Sequence, residues 1–102
     1  MKNDRLLGFL GLCKRAGCLI SGAETVTRAI TERKAVLVLY ASDTSENSLK
    51  GVLKASESAR IPAYRLSRSK EELSFALGKH CAVICTTDAG FAKKITELMK
   101  EE

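Results

Sequence analysis

Apolar residues recur at helical spacing in several stretches of this chain, with short continuous apolar runs between them. Leu6, Phe9, Leu10 and Cys13 form a first stripe, which predicts a helix from a cap at Asn3 or Asp4 to about Ala16. Gly17 ends it, and Lys14 and Arg15 fall in its last turn, where cations suit the helix dipole. Cys18-Leu19-Ile20 is long enough only for a brief strand. Val26, Ala29 and Ile30 restore the helical period in a second helix from about Gly22 to Arg33. Ala35 to Ala41 is apolar without polar alternation, the pattern of a central strand covered on both faces. A third helix from about Glu46 to Ala59 turns Leu49, Val52 and Leu53 inward, behind a polar turn in which Asp43 and Ser45 suit caps.

Ile61 to Leu66 is the next strand, with Pro62 at its first position or on an edge. Ser67 or Ser69 caps a helix from about Lys70 to Leu77, with Leu73, Ala76 and Leu77 inward and Gly78 as its stop. Cys81 to Thr86 is a second buried strand, whose alternation places Cys81, Val83 and Cys85 on one face. Asp88 caps a last helix from Ala89 to Lys100, with Phe91, Ile95, Leu98 and Met99 inward. Helices and strands alternating in this way predict an α/β domain with helices on both faces of one sheet. No linker, repeat or low-complexity segment divides residues 1–102, so one domain is expected.

The outward side of the second helix carries the candidate chemistry. Ser21, Glu24, Thr25 and Arg28 lie opposite the apolar stripe, three and four residues apart. Ser21 with Glu24 three residues on also reads as a capping box. A helix N-terminus with bare N–H groups, a glycine and an exposed base is suited to phosphate, and its carboxylate and hydroxyl can meet a base edge. The same residues equally describe an ordinary capped helix with a Glu24–Arg28 ion pair.

Composition narrows the field. A hydrophobic content of 45% with 28% charged residues is that of a soluble globular domain, and the formal charge of +5 is compatible with a nucleic-acid partner. His80 is the only histidine, which excludes multi-histidine metal sites. Glycine-rich phosphate loops, nucleophile elbows and kinase signatures are missing, so no catalytic residue and no cofactor is expected. Cys13, Cys18, Cys81 and Cys85 have spacings unlike the common zinc pairings and read as small buried hydrophobes in a reducing compartment. Charges near the start and the lack of a long apolar run predict a cytoplasmic protein without a membrane span.

Several segments taken together resemble one family. They are Leu12-Cys13-Lys14-Arg15-Ala16-Gly17, Ser21-Gly22-Ala23-Glu24, Arg28-Ala29-Ile30 and the run from Lys34 to Asp43. Ser45-Glu46-Asn47, Ile61-Pro62-Ala63-Tyr64, Ser69 to Leu73, Leu77-Gly78-Lys79 and Thr87 to Ala92 continue the match. Nearly the whole chain, in order, resembles the bacterial YlxQ-type proteins of the kink-turn-binding ribosomal protein (L-seven-Ae type) superfamily. That resemblance implies a three-layer α/β/α sandwich around a mixed four-stranded sheet. It also implies binding to RNA kink-turns, bends flanked by tandem G·A pairs. In the family the glycine that admits RNA backbone falls on Gly22, the Asn-Glu pair that reads guanine edges on Glu24 and Thr25, and a lysine on Arg28. The loop that packs on flipped-out nucleotides falls on Lys79-His80-Cys81. Here the carboxylate stands one position early, the amide is missing, and arginine's fork replaces a point charge.

The expected function is therefore non-catalytic binding of a kink-turn-like, ribosomal or other structured RNA by a monomer. Gly22, Glu24, Thr25 and Arg28 would meet the bent element. Lys14, Arg15 and Lys34 would supply phosphate contacts, and Lys79 and His80 a second edge. The alternatives are a protein-interaction module, or a thiol or zinc protein using the four cysteines.

Overall fold

A computed structural model describes residues 4–101. Asp4 caps the first helix, α1 (Arg5–Arg15), by accepting from the Leu7 amide at 3.0 Å, while Asn3 lies outside the described residues. There follow β1 (Leu19–Ser21), α2 (Ala23–Thr31), β2 (Leu37–Tyr40), α3 (Glu46–Ala59), β3 (Ala63–Arg65), α4 (Lys70–Leu77), β4 (Val83–Thr86) and α5 (Ala89–Lys100). Ser45, Ser69 and Asp88 cap α3, α4 and α5 through their side-chain oxygens, as expected. Asp43 instead accepts from the Lys70 amide at 2.7 Å and tethers the start of α4. Among the described residues no helix is long and apolar enough to cross a membrane.

The sheet order is β1-β4-β2-β3. β4 runs antiparallel to both of its neighbours, and β2 pairs with β3 in parallel, so the sheet is mixed. Alternation along the central strands splits the core in two. Leu37, Leu39 and Ile84 meet Leu6, Leu10, Leu73, Leu77, Ile95 and Leu98 from α1, α4 and α5. Val38, Val83 and Cys85 meet Val26, Ala29, Ile30 and Val52 from α2 and α3. The result is the three-layer α/β/α sandwich, with burial of both sheet faces as its driving force.

Two inward positions differ from the pattern. Leu53 is exposed, and Ser56 is buried in its place. The small side chains of Ala55 and Ala59 share that packed side, which favours Ser56 over bulkier Leu53 at the contact. Cys81 does not share a face with Val83 and Cys85. It precedes β4, joins the core under α1 and α4, and exchanges two hydrogen bonds with the Ser74 hydroxyl.

Strand register gathers the elements that carry the candidate residues at one edge. Ser21 ends β1 opposite Ile84, and Tyr40 ends β2 opposite Val83. That edge therefore carries the starts of α2 and α3 and the loop that leads into β4.

Candidate nucleic-acid interface

The turn into α2 is built by glycine. Gly22 is the N-cap at φ 102°, ψ 133°, outside the regions open to residues with a Cβ. Its amide donates to the Val83 carbonyl at 2.9 Å, which ties the turn to β4, and its carbonyl accepts from Val26 at 2.8 Å. No side chain caps this helix. The expected capping box between Ser21 and Glu24 does not form, because Ser21 is still the last residue of β1 and paired with Ile84. The capping box of this fold lies at Ser69 and Glu72 instead. The amides of Ala23, Glu24 and Thr25 consequently have no hydrogen-bond partner among the described residues. Bare amides at the positive end of a helix favour an anion.

A cleft of about 270 Å³ opens beside these amides, between Lys14, Leu19, Ser21, Thr25, Leu77 and Lys79. Its walls meet because α1 and α4 run parallel. Asp4 and Arg68 join their starts, with two guanidinium–carboxylate contacts of 2.9 Å. At their ends the Lys14 ammonium donates to the Leu77 carbonyl. Lys14 thus braces the Gly78–His80 loop as well as lining the cleft. Gly78, at φ 66°, turns the chain out of α4 so that Lys79 and His80 reach solvent.

Of the residues expected from sequence, Gly22, Lys14, Thr25 and Lys79 come together here. Glu24 and Arg28 are exposed on the outward side of α2 and form no ion pair with each other, so both remain open to a ligand. Arg28 lies six residues past Gly22, about 9 Å along the axis. Arg15 and His80 are exposed but do not line the cleft. Lys34 lies beyond the far end of α2 and pairs with Glu32 at 3.3 Å, so it is remote from the cleft. Leu19, Ile20 and Leu77 line the cleft without having been singled out from sequence. No local pattern marks them, since only the parallel course of α1 and α4 brings Leu77 beside β1.

A family model for the ribosomal protein L7Ae/L30e/S12e/Gadd45 family matches residues 4–96. The chain belongs to that family. It is 38% identical over 97 residues to the RNA-binding protein YlxQ of Enterococcus faecium, covering 95% of this chain and 93% of that one. It is 35% identical over 92 residues to the RNA-binding protein YlxQ of Bacillus subtilis, covering 89% and 91%. A solved structure from Bacillus halodurans, of a protein with unknown function, aligns with a TM-score of 0.88 at 33% identity, covering 96% and 99%. The Giardia lamblia 15.5kD RNA binding protein aligns with a TM-score of 0.73 over 99% and 90%, and at 20% identity that likeness is one of fold. In this family member the bare start of α2 and the α4–β4 loop share one edge of the sheet.

Cys81 and Cys85 lie one in each of the two cores. Cys13, Cys81 and Cys85 are buried, and Cys18 is half-buried. Burial raises the pKa of all three buried thiols, that of Cys85 to about 12. Such thiols are poor nucleophiles at neutral pH. Among the described residues no three His, Cys, Asp or Glu side chains gather as metal ligands.

Proposed function

We propose that this single domain is a cytoplasmic, monomeric, non-catalytic RNA-binding protein. Its ligand is a kink-turn or a similarly bent, structured RNA, ribosomal RNA included. Gly22, Glu24, Thr25 and Arg28 engage the bend, and Lys14 and Lys79 flank it. Arg15, His80 and Lys34 take outer phosphates, Lys34 after exchanging Glu32 for the RNA. The observation that carries the reading is the uncapped start of α2. Its three unpartnered amides stand beside a cleft rimmed by Lys14 and Lys79. Family membership and the names of the YlxQ relatives support it. Recognition by shape and unpaired base edges is the usual mode for RNA.

Titration calorimetry tests it with a kink-turn RNA and a control in which Watson–Crick pairs replace the G·A pairs. The kink-turn RNA binds more tightly, and Arg28→Glu weakens it at least tenfold, the loss of a charged contact worth about 1.5–3 kcal/mol. Equal binding to both RNAs refutes the kink-turn assignment. Unchanged binding by Arg28→Glu refutes the assigned face. A second reading, a protein-interaction module, draws on Phe75, which is 90% exposed on α4. A complex that survives nuclease treatment and is lost in Phe75→Ser would favour it.

A further inference from the structure

Beyond the cleft, α2 and α3 present a basic face of which the proposed site uses only Arg28. Arg28, Arg33, Lys50 and Lys54 are exposed, and the ion pairs formed among the described residues involve none of them. The acids of α3 outside these ion pairs are Glu46, four residues before Lys50, and Glu57, three past Lys54, while Glu32 is held by Lys34. Between the two helices runs a groove of about 410 Å³, walled by Thr31, Arg33 and Lys54. Its floor is made of the small residues Gly51, Ala55 and Ser58. A Cβ built on Gly51 would meet nothing within 4 Å, so a backbone can come close there. Lys50 and Lys54 stand one helical turn apart, about 5–6 Å between their Cβ atoms.

The large exposed aromatics of the protein, Tyr64 and Phe75, belong to β3 and α4 and not to this face. Binding of unpaired bases uses aromatic stacking platforms, whereas a double helix offers closely spaced phosphates to a row of cations. We propose that the α2–α3 face holds the phosphate backbone of an RNA duplex continuous with the element bound at the cleft. Arg28, on the outward side of α2, bridges the two surfaces. The continuity rests on the RNA reading of the cleft, and the charge of the face stands by itself.

Three RNAs separate the two readings. One is a minimal kink-turn with short stems, one has a stem lengthened by about one helical turn, and one is a plain duplex. Affinity is measured against salt for each. Lengthening the stem steepens the slope of log K against log salt by about 1.4–1.8, two phosphates at about 0.7–0.9 each. The double variant Arg33→Asn/Lys54→Glu abolishes that gain, about tenfold in affinity between 50 and 200 mM salt, and leaves the minimal RNA unchanged. Gly51→Glu acts in the same direction and Gly51→Lys in the opposite one, and both fill open space in a helix, where folding tolerates them.

If the variants alter binding of all three RNAs equally, or of none, the proposal is wrong. If the protein ignores the minimal kink-turn but binds the plain duplex in a manner the variants weaken, the face is right and the cleft reading is wrong.

Discussion

Gly22→Ala isolates the feature on which the candidate interface is built. At φ 102°, ψ 133° the backbone lies near a region reached essentially by glycine alone. Holding another residue there costs about 1–3 kcal/mol. A clash adds nothing, because the new Cβ would stand 3.8 Å from Thr25 Oγ1, an ordinary contact. Against this, alanine restricts the unfolded chain and recovers about 0.4–1 kcal/mol. The net loss is about 1–2 kcal/mol, a lowering of Tm by roughly 5–15 °C for a domain near 100 residues. Thermal unfolding followed by circular dichroism reads it. Gly17→Asn is the control, since φ 77° there is close to the left-handed region that Asn tolerates, and its Tm should fall by less. If the turn relaxes, the 2.9 Å bond from the Gly22 amide to Val83 is lost and the neighbouring amides re-aim. RNA affinity, measured where both proteins are folded, then drops too. A Gly22→Ala protein whose Tm stays within about 2 °C of the parent refutes the argument from backbone strain.

Three other outcomes follow from single side chains. Hydrogen bonding by Arg68 holds the Asp4 carboxyl below its ordinary value, so its contribution is complete above the unfolded pKa of about 3.9 and is lost as pH falls through the lower folded value. Asp4→Ala, which also removes the α1 cap, should cost about 1–3 kcal/mol at pH 7 and much less near pH 2, read from denaturation midpoints. Ser56 Oγ is buried without a partner, so Ser56→Ala should be neutral or raise Tm by a few degrees; a clear fall would show that the hydroxyl is satisfied. A thiol reagent at pH 8 should modify Cys18 first, while Cys13, Cys81 and Cys85 react only on unfolding.

Much of this fold can be read locally. The limits of α3, α4 and α5 follow from Ser45, Ser69 and Asp88, since a cap needs only a side-chain oxygen within hydrogen-bonding reach of a nearby amide. The runs Ala35–Ala41 and Cys81–Thr86 mark the two central strands because nothing polar interrupts them. The start of α2 is different. Ser21 and Glu24 have the spacing of a capping box, but pairing of Ser21 with Ile84 and of Gly22 with Val83 overrides it. Sequence spacing cannot express that competition, because the partners lie some sixty residues away. The same applies to the cleft. Lys14, Thr25 and Lys79 are legible as single polar positions, whereas their convergence depends on α1 and α4 running side by side. Lys34 and its neighbour Glu32 show the converse, a cation whose nearest charge is local and whose place in the fold is remote from the cleft.

The bare amides at the head of α2 differ in kind from the ammonium groups around them. A lysine can be acetylated or can lose its proton in alkali, and either event erases its charge. A peptide dipole is written into the backbone, and no side-chain substitution short of proline takes its hydrogen away. Part of the attraction for an anion at this edge is therefore permanent, and chemical modification of Lys14 and Lys79 together would turn it down without switching it off.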